Sequence, residues 1–251
     1  MKWDKDPIVA SHGQWSRDAI VEPAAQAPRT TPLIVLGAGL PVPSMLQPAG
    51  SPSSAGRFPI GRKYTVGDVA TFRRLDMDSN DSRRTFEHIV TGVDLESDRV
   101  EVNGGMLVWD TMGNLRRNIE GVTWDTPPQF IPIELQVGSK WSAATRITRR
   151  GQSGLLRFSF RITTRERIVV PAGSFDAFKV EGKGTSPMLL DAIEIRGWTG
   201  GTVLHTETLW LVPYLNFAIR HDREAHSHPF TDRFRAERVE LVSARQWDAE
   251  T

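Results

Sequence analysis

The sequence predicts an all-β fold: a single large curved antiparallel sheet or open half-barrel, preceded by an irregular N-terminal region. Three observations carry this expectation. Residues 155–184 alternate apolar and polar side chains, turn, and alternate again. Similar short runs recur on both sides of that stretch, separated by turns rich in Gly, Asn and Asp. No segment of useful length shows a helical period.

The central stretch is the clearest element. Leu156, Phe158, Phe160 and Ile162 alternate with Arg157, Ser159 and Arg161. Side chains alternate faces along a strand, so one face is apolar and the other basic. Glu166 interrupts the apolar row, the mark of a bulge or of a strand leaving the core. Pro171, Ala172, Gly173 and Ser174 supply turn chemistry, and Phe178 and Val180 resume the pattern. One wet face implies an antiparallel sheet.

In chain order, residues 1–60 form an irregular, linker-like segment. Residues 22–59 are rich in Pro, Ala, Gly and Ser and cannot bury enough apolar surface to offset the entropy of ordering. The best candidate for an export-signal apolar region is residues 33–46, but Gly37, Gly39, Pro41 and Pro43 interrupt it, and a linker is the reading adopted. Residues 61–251 form the β domain. Residues 61–118 are its first meander, with a polar turn around Asp76, Asp78 and Asp81 and a hairpin turn at Asn103, Gly104 and Gly105. Residues 119–137, with Pro127, Pro128 and Pro132, are a connector. Residues 138–244 are the second meander, with an undecided loop over 185–201.

The two meanders read as one duplicated unit. Gly61, Lys63 and Tyr64 match Gly138, Lys140 and Trp141, and each group precedes a strand ending in paired arginines, Arg73–Arg74 and Arg149–Arg150. The spacing is not constant, so a solenoid is excluded.

Composition bounds the function. The 251 residues are 39% hydrophobic, enough for a core. The formal net charge of +1 argues against a dedicated polyanion binder, although 25 of the 31 basic residues are Arg. The absence of Cys excludes disulfides, cysteine-ligated zinc and thiol nucleophiles within these residues. No run approaches the roughly 18 apolar residues of a spanning helix. There is no nucleophile elbow, phosphate-binding loop or zinc-protease pair.

The Gly-x-Lys-aromatic opening, the turn Val170, Pro171, Ala172, Gly173, Ser174, Phe175, and the runs Glu207, Thr208, Leu209, Trp210 and Phe217, Ala218, Ile219, Arg220 carry a resemblance. Together they resemble uncharacterised bacterial cell-envelope proteins of the TapB-like type, which are similar to the LolA/LolB lipoprotein-carrier fold. The resemblance covers residues 138–242 and, more weakly, 61–118. It implies a curved sheet cupping an apolar cavity and a periplasmic or envelope location. The chain departs from the carrier pattern in having no lipobox Cys and no clear helix to plug the cavity.

Several residues could carry chemistry. His205, His221, His226 and His228, with Asp222, offer metal-ligand types, but His226 and His228 read as a surface turn before Pro229. Glu194 and Glu207 lie near apolar runs and are candidates for acid–base work. The Gly-rich run from Gly197 to Gly201 around Trp198 reads as a loop. The stripe Arg157, Arg161, Arg165, Arg167 reads as a solvated face paired with acidic neighbours, and no aromatic is interleaved with it as a nucleic-acid surface would require. The tryptophans Trp109, Trp124, Trp141, Trp198 and Trp210 are plentiful enough to line a concave pocket, and equally are normal components of a β core. Trp109, Trp141 and Trp210, with Phe158, Phe160 and Phe178, are the candidate ligand-binding residues of the concave face.

The leading expectation is a non-enzymatic, envelope-associated β module that binds or shields an apolar small molecule, lipid or protein segment, with no cofactor and no metal. A hydrolase or metal-dependent enzyme using Glu207, His205 and His221 is the first alternative. A protein-interaction module using the Arg face is the second.

Overall fold

The computed structural model describes residues 32–36, 58–59, 63–188, 201–228 and 233–247. They contain fifteen strands and no helix: β1 (Pro32–Leu36), β2 (Phe58–Pro59), β3 (Val69–Asp76), β4 (Ser82–Asp94), β5 (Arg99–Val102), β6 (Leu107–Trp109), β7 (Leu115–Arg117), β8 (Thr123–Trp124), β9 (Glu134–Leu135), β10 (Lys140–Arg149), β11 (Gln152–Val170), β12 (Gly173–Pro187), β13 (Thr202–Leu211), β14 (Ala218–His228) and β15 (Arg233–Trp247).

Twelve of them, β3 to β8 and β10 to β15, pair antiparallel in sequence order, and β15 then pairs with β3. The sheet is therefore a closed barrel, not the single open curved sheet or half-barrel expected. Closure rests on the register Arg238↔Leu75, Glu240↔Arg73 and Leu241↔Phe72. These partners lie more than 160 positions apart, and local alternation contains no information about which distant edges meet.

β15 is long enough to use both edges. Its first half pairs with β14 from Arg233 to Glu240. Past that point β14 departs, and β1 takes the vacated edge through pairs such as Leu36↔Ala244. β1 lies in the stretch expected to be irregular. Its sequence Pro-Leu-Ile-Val-Leu is a short apolar, partly β-branched run of the kind that fits a sheet edge. The pair β2–β9 forms a separate two-stranded ribbon.

Turn chemistry follows the residues. Asn103, Gly104 and Gly105 all have positive φ, joining β5 to β6. Asp76 Oδ1 accepts hydrogen bonds from the backbone N–H groups of Asp78 (2.8 Å) and Ser79 (3.1 Å), so the acidic cluster there is a turn. The β11–β12 hairpin turns at Gly173, with φ of 134°. Its tip folds back onto β15, where the Ala172 N–H donates to Leu241 O at 3.1 Å. β12 continues to Pro187, so the first part of the undecided 185–201 loop is strand; Glu194 and Trp198 lie outside the described residues.

The inner face of β11 is Leu156, Phe158, Phe160 and Ile162, all buried. Two rings lie over glycines on β12: Phe160 pairs with Gly182 and Phe158 with Gly184. A Cβ on either glycine would collide with the facing ring. The run Glu181, Gly182, Lys183, Gly184 thus leaves floor space for two aromatic rings.

Residues 125–137 fill one end of the barrel. Ile131 and Leu135 are buried against Ile162, Val180, Leu209 and Leu211. Asn114 clamps the segment: its Oδ1 accepts from the Ile131 N–H (2.8 Å) and its Nδ2 donates to Ile131 O (3.3 Å).

A bulge lies between Ile162 and Thr164. It shifts the alternation by one, so Arg165 turns to the inner face opposite Phe178, while Arg157, Arg161 and Arg167 stay exposed. The expected solvated stripe is broken there. The Arg165 side chain is 0% exposed and is bonded to Asp176 at 2.7 Å, with its guanidinium 5.3 Å from the centre of the Phe178 ring. Removing one member of such a pair leaves a buried charge uncompensated. Arg165→Met is expected to cost about 3–5 kcal/mol in urea unfolding, and Arg165→Met with Asp176→Leu to recover most of it. Equal losses in the single and double variants would contradict this.

Candidate inner-wall site

The side chains with chemical character converge on the inner face, which changes from aromatic to charged around the barrel. On the aromatic side Trp141 stacks on Phe160 (centroids 5.2 Å apart), Phe160 on Phe158 (5.3 Å), and Phe158 meets the His205 ring (5.6 Å). β11 and β13 are not adjacent; the bare Gly184 between them allows that last contact. Phe130 of the connector lies edge-on against Phe158 (5.0 Å) and Phe160 (5.2 Å). Trp141 Nε1 donates to Gln129 O at 2.6 Å.

On the charged side, His205 and Glu207 alternate with buried Leu209 along β13. His205 Nε2 is 2.8 Å from Ser186 Oγ, and burial, helped by Arg235 and Arg223, pushes its pKa down against the pull of Glu207. Glu207 is bonded to His221 of β14 at 2.5 Å. Arg223 and Arg74 both pair with Glu237, Arg74 at 3.5 Å. Burial would raise the Glu237 carboxyl, but the two guanidinium groups outweigh it and hold it low. Arg74 is itself pushed down by burial, and by Arg223, Arg235 and Arg84, against Glu237.

A recess of about 20 Å³ opens nearby, lined by Tyr64, Asp68, His88, Trp109, Asn216 and Phe217 among others. That is room for one water. Tyr64 Oη donates to Asn216 O at 2.9 Å. Burial, with Asp110 and Asp68, holds the Tyr64 hydroxyl well above its ordinary pKa. The His88 ring lies against Phe72 (5.3 Å), Phe86 (5.2 Å) and Trp109 (5.2 Å). That burial, with Arg74, lowers its pKa to about 4.

Of the six residues expected to bind ligand, Trp141, Phe158 and Phe160 form the aromatic wall, under Phe130. Trp109 lines the recess. Phe178 is fully buried beneath Arg165. Trp210 is on the other face of β13 from Leu209 and Leu211, with Nε1 donating to Glu166 at 2.7 Å and Arg220 4.5 Å from its ring centre. The concave placement of Trp210 is thus corrected. Leu209, Trp210, Leu211 and Val212 are all buried, so alternation could not tell the faces apart.

Glu207, His205 and His221 share the inner face, but only Glu207 and His221 bond to each other. His226 and His228 end β14 rather than sitting in a turn, because the strand runs on to the residue before Pro229. Among the described residues no three His, Asp or Glu side chains gather as a metal-holding group. Arg74, Arg223, Arg235, Glu237 and His88 were not anticipated. The signal for some of them was a period-2 row, Arg233, Arg235 and Glu237, in the final strand.

No protein-family model and no curated protein matches the sequence. Two solved structures are similar to it. One, from Bacteroides fragilis, is described as an exported protein with a YmcC-like fold; it is 14% identical, with a TM-score of 0.42, over 76% of this chain and 100% of that one. The other is the hypothetical lipoprotein YmcC of Escherichia coli, 9% identical, with a TM-score of 0.37, over 69% of this chain and 83% of that one. Likenesses this distant carry no functional argument. Among the described residues no helix is long and apolar enough to cross a membrane, which says nothing of strands.

His88 gives a pH prediction. Its folded pKa, about 4, is below the ordinary 6.5. Between those values the unfolded chain takes up a proton that the folded barrel refuses, so stability falls as pH drops from 6.5 to 4, by at most about 3 kcal/mol. Other carboxylates titrate in the same range, so the reading is a difference. Chemical unfolding of wild type and His88→Phe at pH 7 and pH 4.5 should show a smaller acid loss in the variant, and identical losses would refute it. A second variant, Asn114→Ala, leaves both backbone groups of Ile131 without their partner, at about 1–3 kcal/mol each. Limited proteolysis should then cut first within residues 125–137; an unchanged cleavage pattern would refute the clamp.

Proposed function

We propose that the barrel is a non-enzymatic binding module of a bacterial cell envelope, which takes an apolar ligand or protein segment on its inner wall. The observation that carries this is the aromatic ladder Trp141–Phe160–Phe158–His205, which in this conformation is covered by the chain's own connector through Phe130. An extended segment already occupies the position a guest would take. Among the described residues its hold is mostly side-chain packing, with one backbone hydrogen bond to β10, from the Asp125 N–H to Arg146 O, and a few more through Asn114, Thr145 and Trp141. Displacing it exposes stacked rings of ready-made apolar surface, at about 25 cal/mol per Å² reburied before association costs.

The envelope setting, and any finer kinship to TapB-like or LolA/LolB carriers, stands on the sequence resemblance and is part of the same proposal. Glu207 is hydrogen-bonded to His221 and His205 to Ser186, so these side chains are already partnered within the wall, which favours a binding role over acid–base catalysis.

Phe130→Ala should uncover the ladder. An environment-sensitive apolar dye is expected to bind wild type weakly and the variant at least several-fold more strongly, with native mass spectrometry of freshly purified protein reporting any ligand carried through. If neither protein binds the dye and neither carries a ligand, the inner wall is a structural core alone.

A further inference from the structure

β10 keeps an open edge inside the closed barrel. It pairs with β11 along its whole length, from Lys140↔Arg161 to Arg149↔Gln152. On its other side it meets β8 at Ile147↔Trp124 and Thr148↔Thr123, and the Asp125 N–H then donates to Arg146 O at 3.0 Å. Continuing that register would set Pro127 opposite Ala144, and proline has no N–H to donate. Among the described residues the ladder on that side stops at Arg146. Along a strand, alternate residues aim their N–H and C=O groups at opposite edges. Arg146 aims its C=O towards β8, so Ser142 and Ala144 aim theirs at the open edge, and both residues are exposed.

The side chains along this edge have a definite chemistry. Where Trp124 and its extension flank β10, the inward residues Thr145 and Ile147 are buried; where the edge is open, Trp141 and Ala143 are half-buried at the rim of the cluster that holds Phe158 and Phe160. A strand added there would complete the burial of that row. The outward face is basic. Lys140 stands opposite Arg161, and Ala144 opposite Arg157. All three basic residues are exposed, and among the described residues no ion pair engages them. Lys183 on β12 extends the positive field opposite Ser159. Of the acidic groups nearby, Asp125 pairs with Arg146 at 3.8 Å, and Glu181, opposite Arg161, is bonded to Lys179 at 2.8 Å. A second copy is a poor occupant, because pairing β10 with β10 would bring Lys140 and Arg146 of both copies together, and like charges opposite each other oppose pairing.

We propose that the open edge of β10, residues 140–144, takes an extended strand of a partner protein in which acidic residues alternate with apolar ones. The strand adds antiparallel, in line with β8. Its acidic side chains lie outward beside Lys140, Arg157 and Arg161, and its apolar ones inward beside Trp141 and Ala143. Backbone bonds to Ser142 and Ala144 supply affinity, and the alternation supplies selection. Residues directly opposite in an antiparallel pair share a face, so the acidic residues are the ones whose N–H groups meet β10. The edge needs no displacement of the connector and does not rest on the function proposed above.

The test is fluorescence anisotropy at low salt, with the whole chain and a labelled peptide of about nine residues alternating Glu and Val. Three relatives of the peptide are compared: one N-methylated at its Glu residues, one N-methylated at its Val residues, and one with Lys in place of Glu. The parent and the Val-methylated peptide are expected to bind within about threefold of each other, the Glu-methylated peptide at least about tenfold more weakly, and the Lys peptide not at all. Arg157→Glu with Arg161→Glu, both at exposed positions, should weaken the parent about tenfold. Equal binding of the two methylated peptides means that charge alone attracts them, and overturns strand addition. A Lys peptide that binds as tightly as the parent, or an undiminished affinity in the arginine variant, overturns the acidic partner. No binding of the parent leaves Lys140 and the arginines as guards of an edge that nothing joins, and overturns the proposal outright. The dye experiment with Phe130→Ala reads the aromatic wall separately, so each idea can fail without the other.

Discussion

A twelve-stranded sheet left open would present two long rows of unpaired N–H and C=O groups, one on β3 and one on β15. Such edges recruit other chains. Here the two edges satisfy each other from Val69 to Asp76, and the remaining edge of β15 is taken up in turn by β14, the Ala172 N–H of the folded-back hairpin, and β1. Every other property of the inner wall depends on that closure. It makes one face of each strand an inside and brings arginines from β3 and β4 opposite those from β14 and β15.

Inside, the wall is filled by two different physical means. The aromatic half is packed ring on ring, with Gly182 and Gly184 supplying the missing volume. The polar half is satisfied by cross-strand pairs: Glu207 with His221, Glu237 with Arg223 and Arg74, Ser186 with His205. Low dielectric raises the stakes of each pair and moves the titration of His88, His205 and Arg74 in the direction burial dictates. The outer face of β11 is unlike the apolar band of a membrane barrel, since Arg157, Ser159 and Arg161 are exposed there.

Much of the strand layout was legible because one-sided burial writes itself as alternation. Leu156 to Ile162 is the example, as are the Asn103 and Gly173 turns. Legibility ended where that condition ended. On β13, Leu209 to Val212 are buried on both sides, so Trp210 was assigned to the wrong face. On β11 a single extra residue at the bulge inverted the phase, so Arg165 was taken for a surface charge. Closure was invisible because no local pattern encodes a partner more than 160 residues away. For the candidate site, the aromatic residues were legible as large apolar side chains on an alternating face. The arginines were not, because Arg74, Arg223 and Arg235 are ordinary strand residues until the barrel brings them together.

Closure also sets an order of events during folding. The contacts between β3 and β15 span most of the chain, and loops of that length are slow to close. β4 to β14 can pair with near neighbours much earlier, as each hairpin emerges. A nascent chain that has not yet made β15 is thus a sheet with an accessible aromatic face and two bare edges. That is the moment at which a chaperone, or a guest molecule of the right chemistry, has unobstructed access to the inner wall.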